Sequence, residues 1–145
     1  PDQPEDSGIL EWVAFASNAF NVLVPFYAGV TTTPEYLSNT TAEVSTDNFY
    51  WSSRMIAVMA DASYKSSVFH IERYQEYVMA KGHELINTYD ELLAKESDGQ
   101  KRMSLKEEAN EKIAKMLKEA TADTLSKVLF ELSGQMKNAY SRSDA

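Results

Sequence analysis

The chain predicts an α+β fold in which an N-terminal antiparallel β-hairpin precedes three mainly antiparallel α-helices. Three observations carry this reading. Two apolar runs rich in aromatic and branched residues fall within the first 30 positions. A stretch with Pro34 and several threonines follows without apolar periodicity. From about residue 46 onward apolar side chains recur at steps of three and four. The division expected is therefore a hairpin over 1–30, an irregular connection over 31–45 and a helical region over 46–145.

The first run, Ile9-Leu10-Glu11-Trp12-Val13-Ala14-Phe15-Ala16, is apolar at nearly every position, the mark of a strand covered on both faces. Asn21-Val22-Leu23-Val24-Pro25-Phe26-Tyr27 has the same character, and Ser17-Asn18-Ala19-Phe20 is short enough to join the two as a hairpin. Pro25 has no N–H to give a ladder, so it belongs at a strand end, an edge or a bulge. A lone two-stranded hairpin is marginal in water, and strands this apolar should need cover from further sheet. Residues 1–30 thus look like part of a larger sheet.

Ser45-Thr46-Asp47 offers oxygen-bearing side chains for a helix start. Met55, Ile56, Met59 and Ala62 should then share the buried face. A longer helix is expected through Ile71, Tyr74, Val78, Leu85, Ile86, Tyr89, Leu92 and Leu93, with Lys95 to Met103 as the connection after it. Ser104-Leu105-Lys106-Glu107 fits a capping box, in which serine and glutamate each satisfy a backbone amide. The third helix is expected to start there and to carry the stripe Ile113, Met116, Leu117, Ala120, Thr124, Leu125, Val128, Leu129 and Leu132. The last two helices should pack antiparallel.

Fourteen basic against 22 acidic side chains leave a net charge of −8, which repels phosphate and disfavours nucleic acid as a partner. Without cysteine there is no thiolate nucleophile, disulfide or cysteine-based zinc site. The most apolar stretch, Ala19 to Val30, holds Asn21 and Pro25 and is too short for a membrane span, which needs roughly 20 residues. The opening Pro1-Asp2-Gln3-Pro4-Glu5-Asp6 has no leader-like pattern and begins as though cut from something longer.

Scattered glycines exclude a phosphate-cradling loop, and no serine sits in a nucleophile elbow. His70 and His83 are thirteen residues apart, roughly 140° around a helix, so their rings diverge and no metal site is expected. Asn39-Thr40-Thr41 matches a glycosylation sequon but reads as a polar loop. No cofactor is implied. Phe49, Tyr50 and Trp51 just ahead of Arg54 read as core packing, or as one side of a cleft that Tyr27 also approaches, where the arginine could hold a carboxylate.

Leu10-Glu11-Trp12-Val13-Ala14-Phe15-Ala16-Ser17, then Val22-Leu23-Val24-Pro25-Phe26-Tyr27-Ala28-Gly29, resembles the late strand pair of bacterial dipeptidases of the dipeptidase A type. Thr32-Thr33-Pro34 and Phe49-Tyr50-Trp51 with Arg54, Ala57, Asp61 and Tyr64 are similar to the next part of that family, so the likeness covers about residues 8 to 95. The resemblance implies a cytoplasmic N-terminal-nucleophile (Ntn) hydrolase with an αββα sandwich of two sheets between helical layers. Its amino-terminal cysteine attacks the peptide bond, and the free α-amino group is the base. This chain has Pro1 and no cysteine, so no catalytic residue carries over. Asn18, Tyr27, Trp51 and Arg54 are the candidates for the rim of the substrate site.

The expectation is the C-terminal part of such an enzyme, inert alone, with the N-terminal portion of the same enzyme as its partner. Small peptides would be the substrates, and the parent would form a homo-oligomer. The rival reading is a non-enzymatic helical interaction or oligomerisation module.

Overall fold

The computed structural model describes residues 10–14, 22–38 and 42–143, without the side chains of 10–14 and 137–143. Strands β1 (Leu10–Ala14) and β2 (Leu23–Tyr27) come first, followed by helices α1 (Glu35–Ser38), α2 (Phe49–Ala62), α3 (Tyr64–Ala94) and α4 (Gly99–Ser143). Helix predominates. The expected link Ser17-Asn18-Ala19-Phe20 lies outside the described residues.

The strands form an antiparallel ladder in which Leu10 faces Tyr27, Trp12 faces Pro25 and Ala14 faces Leu23. In β2, Leu23 is exposed while Val24, Pro25, Phe26 and Tyr27 are buried. The expectation that both strands would need outside cover is therefore wrong for β2, because α3 and α4 of this same chain pack on it. Pro25 lies against Gly82 of α3, where a Cβ would stand 2.8 Å from the proline Cδ. Glycine is required there by close approach of strand to helix.

The 31–45 connection is not wholly irregular. Pro34 opens the single-turn helix α1, its carbonyl accepting from the Leu37 and Ser38 amides. The buried Tyr36 ring then meets Phe49 edge-on at 5.9 Å. Helix α2 starts just past the Ser45-Thr46-Asp47 signal: Asn48 is its N-cap, with Oδ1 accepting from the Trp51 amide at 2.9 Å. Its buried face is Phe49, Ser52, Ile56 and Ala60; of the expected face Ile56 is buried, Met55 and Met59 are half-buried, and Ala62 is exposed. Small side chains at 52 and 60 let the helix come close to its neighbours, which periodicity of large apolar residues does not reveal.

A single non-helical residue, Ser63 (φ −136°, ψ 49°), separates α2 from α3. Its amide still bonds to the Met59 carbonyl, its carbonyl accepts from the Ser66 and Ser67 amides, and its hydroxyl meets that of Ser67 at 2.9 Å. This buried corner keeps its polar groups paired while the chain turns.

Helices α3 and α4 pack antiparallel along stripes that match the expected ones closely. Ile71, Tyr74, Val78, Ile86, Tyr89 and Leu93 are buried on α3, with Leu85 partly so and Leu92 exposed. On α4, Ile113, Met116, Leu117, Thr124 and Val128 are buried, whereas Leu129 is exposed. The capping-box start is overturned. Helix α4 begins at Gly99, where Asp98 Oδ2 accepts from the Lys101 amide at 3.0 Å and the Asp98 carbonyl accepts from Arg102. Arg102 folds back so that its guanidinium donates to the Leu93 and Glu96 carbonyls at the end of α3. One arginine thus ties the end of one helix to the start of the next, and Ser104 is left as an exposed interior position.

Gly82→Ala would gain helix propensity but press a methyl into Pro25, and overpacking of a core typically costs about 1–3 kcal/mol. The expected outcome is a net loss of roughly 1–2 kcal/mol, read as a lower urea midpoint. An unchanged or higher midpoint would show that strand and helix are not in close contact.

Candidate functional site

Tyr27 is held both at its backbone and at its hydroxyl. Its backbone N–H donates to Asn110 Oδ1 at 2.8 Å, and Asn110 Nδ2 donates to its carbonyl at 3.0 Å. A side-chain amide of α4 thus occupies the place that the backbone of a neighbouring strand would take. The Tyr27 hydroxyl donates to an Asp90 carboxylate oxygen at 2.7 Å and also lies 3.2 Å from the Ile86 carbonyl on α3. Burial, with the Asp90 carboxylate second, pushes its pKa well up, so it remains a proton donor. Tyr27 is 1% exposed, and its hydroxyl is committed to the helix.

Trp51 and Arg54 sit elsewhere. They belong to α2, which packs chiefly on α4, whereas β2 rests on α3 and α4 without neighbouring α2. Arg54 is exposed and stacks its guanidinium 4.7 Å from the centre of the Tyr50 ring, whose edge-on partner at 5.2 Å is Trp51. The structure brings Trp51 and Arg54 together around Tyr50 and leaves Tyr27 apart from them. Asn18 lies outside the described residues.

His70 lies in an open groove of about 1010 Å³ between α3 and α4, with Phe69, Arg73, Tyr77, Asp123 and Lys127. Its Nε2 is 3.3 Å from Glu131. His83 is on an exposed turn of α3, and among the described residues no cluster of three potential metal ligands occurs. Behind the groove, Tyr74 and Thr121 share a buried hydroxyl pair at 2.7 Å, with burial raising the tyrosine pKa. At the exit of β2, Glu107 accepts from the hydroxyls of Thr31 at 2.9 Å and Thr32 at 2.6 Å. Those bonds, Thr32 first, hold its carboxyl below the usual range.

Asn110 and Asp90 were not among the residues expected at a site. A signal existed for the first: Asn110 falls on the buried stripe with Ile113 and Leu117, and a polar side chain on such a stripe must find a partner. Nothing in the sequence names that partner as a strand backbone 83 positions away.

The model of peptidase family C69 matches residues 1–77, and the chain belongs to this family. It is 39% identical over 145 residues to the probable dipeptidase A of Streptococcus pyogenes serotype M18 (strain MGAS8232), covering 99% of this chain and 29% of that protein. Against the dipeptidase of Bifidobacterium longum (strain NCC 2705) it is 34% identical over 181 residues, covering 99% of this chain and 34% of the relative. Dipeptidase A of Lactobacillus helveticus is 27% identical over 139 residues, which is 96% of this chain and 29% of the relative. The chain therefore spans about a third of the length of these relatives, and the match runs through α4, beyond the expected limit near residue 95. No helix among the described residues is long and apolar enough to cross a membrane.

Asn110→Ala would strand a buried N–H and a buried carbonyl, each costing about 1–3 kcal/mol. A loss of roughly 2–4 kcal/mol in urea unfolding is expected, with faster hydrogen exchange at the Tyr27 amide. Unaltered protection of that amide would mean the clamp is not formed in solution.

Proposed function

We propose that this chain is the C-terminal portion of a cysteine-dependent peptidase that hydrolyses dipeptides, and that it supports the site without supplying the nucleophile. The observation that carries the reading is the near-complete match of this chain to part of proteins named as dipeptidases, joined to its lack of any cysteine. An Ntn-type hydrolase needs a thiolate or hydroxyl nucleophile beside its own α-amino base. The attacking group would come from the rest of the polypeptide, in whose layered sheet β1 and β2 take part. Small peptides are its substrates and the cytoplasm its location; its assembly is a homo-oligomer.

Within this chain two kinds of contribution differ. Tyr27 is a positioning residue: its ring is enclosed and its polar atoms fix β2 on α3 and α4. The half-buried Trp51 and the exposed Arg54 form a cation and aromatic corner able to hold a peptide carboxylate by a two-pronged pair. Asn18 completes the proposed rim of the site.

The purified 145-residue chain is expected to leave dipeptides intact, while the complete polypeptide cleaves them and loses activity on thiol alkylation. Turnover by the cysteine-free chain, with contamination excluded, would refute the division of labour. In the complete enzyme, Arg54→Gln should raise KM about 10- to 100-fold with little change in kcat, the scale of one charge-assisted pair. An unchanged KM would remove Arg54 from the site.

A further inference from the structure

The two-stranded sheet has unequal edges. In an antiparallel ladder, facing residues alternate between pairs that exchange both hydrogen bonds and pairs that point both groups outward. Tyr27 sends its N–H and carbonyl to Asn110, away from β1. The Leu10 and Tyr27 pair is thereby an outward one, and by alternation so are Trp12 with Pro25 and Ala14 with Leu23. Glu11 with Phe26 and Val13 with Val24 hold the ladder together.

Two devices then close the outer edge of β2 at Pro25 and Tyr27. Pro25 has no N–H to offer an incoming strand, and at Tyr27 the Asn110 amide already satisfies both backbone groups. Gly82 and the α3 surface press against the same strand at Pro25. On β1 the outward N–H and carbonyl groups of Leu10, Trp12 and Ala14 face no strand among the described residues. An edge carrying three such residues is a template for strand addition.

We infer that the free edge of β1 is the junction at which an extended strand from the remaining portion of the same polypeptide joins the sheet. The occupant is argued from length: the relatives extend far beyond the 29% and 34% of their chains that this one covers. A sheet of two strands is also below the usual size. The inference rests on the proposed function for the existence of that portion and adds the edge by which it docks. Growth occurs at β1 alone, so the sheet ends at β2 with α3 and α4 as its flank.

Hydrogen exchange at single-residue resolution, compared between the 145-residue chain and the complete polypeptide, tests it. In the chain alone, the amides of Glu11 and Val13 should exchange slowly and those of Leu10, Trp12 and Ala14 fast. In the complete polypeptide the latter three should slow by about tenfold or more. Equal fast exchange in both would overturn the inference, even with dipeptide hydrolysis intact. Protection already present in the dilute chain would overturn it too. Protection gained only by concentrating the chain would assign the edge to a second copy and likewise overturn it. Conversely, slowed exchange without hydrolysis would sustain the edge and refute the enzymatic reading.

Ala14→Pro supplies a second arm, since it removes an outward N–H while sparing the inner ladder. Activity of the complete polypeptide should fall by about tenfold or more with the melting of the isolated chain unchanged. Full activity would count against the docking edge. If the variant chain fails to fold, the exchange comparison in the unaltered protein decides alone.

Discussion

The two hydrogen bonds between the Asn110 side chain and the Tyr27 backbone set the relation of sheet to helices on which the other contacts depend. A buried strand edge cannot leave its peptide groups bare, because each would cost a few kcal/mol. The amide presents an N–H donor and a carbonyl acceptor side by side, as a peptide does, so it satisfies both groups of one residue at once. With β2 held in this way, Pro25 reaches Gly82 and the Tyr27 hydroxyl reaches Asp90, about two turns further along α3. Helices α3 and α4 thus grip the strand from two sides.

The same grip explains how a largely helical chain serves a sheet. The antiparallel contacts of α3 and α4 extend from Leu93 with Arg102 near the loop, through Tyr74 with Thr121, to His70 with Glu131. The strand pair docks where α3 carries Gly82 and α4 carries Asn110. The far end meets the α2 corner at Ser63, where Ser66 accepts a bond from Gln135.

Membership of peptidase family C69 and the missing cysteine fit one another once the chain is seen as spanning about a third of its relatives. Tyr27 is consumed by packing, while the Tyr50, Trp51 and Arg54 corner stays at the surface with its cation stacked and exposed. The difference arises because β2 is enclosed by two helices, while Arg54 lies on the solvent side of α2.

By itself the sequence determined the helical stripes of α3 and α4, the apolar strands, the edge role of Pro25 and the family likeness in Val24-Pro25-Phe26-Tyr27. Each follows from local spacing or from one residue's covalent limits. It misplaced the start of α4, since Asp98 and Arg102 outcompeted the Ser104 capping box by tying the new helix to the end of α3. It also misjudged the cover of β2 and, in part, the buried face of α2. Only the tertiary structure decided that Asn110 stands in for a strand and that Tyr27 parts company with Trp51 and Arg54. Those outcomes depend on peptide groups distant in sequence finding partners in a shared interior, and no periodicity along the chain encodes that match.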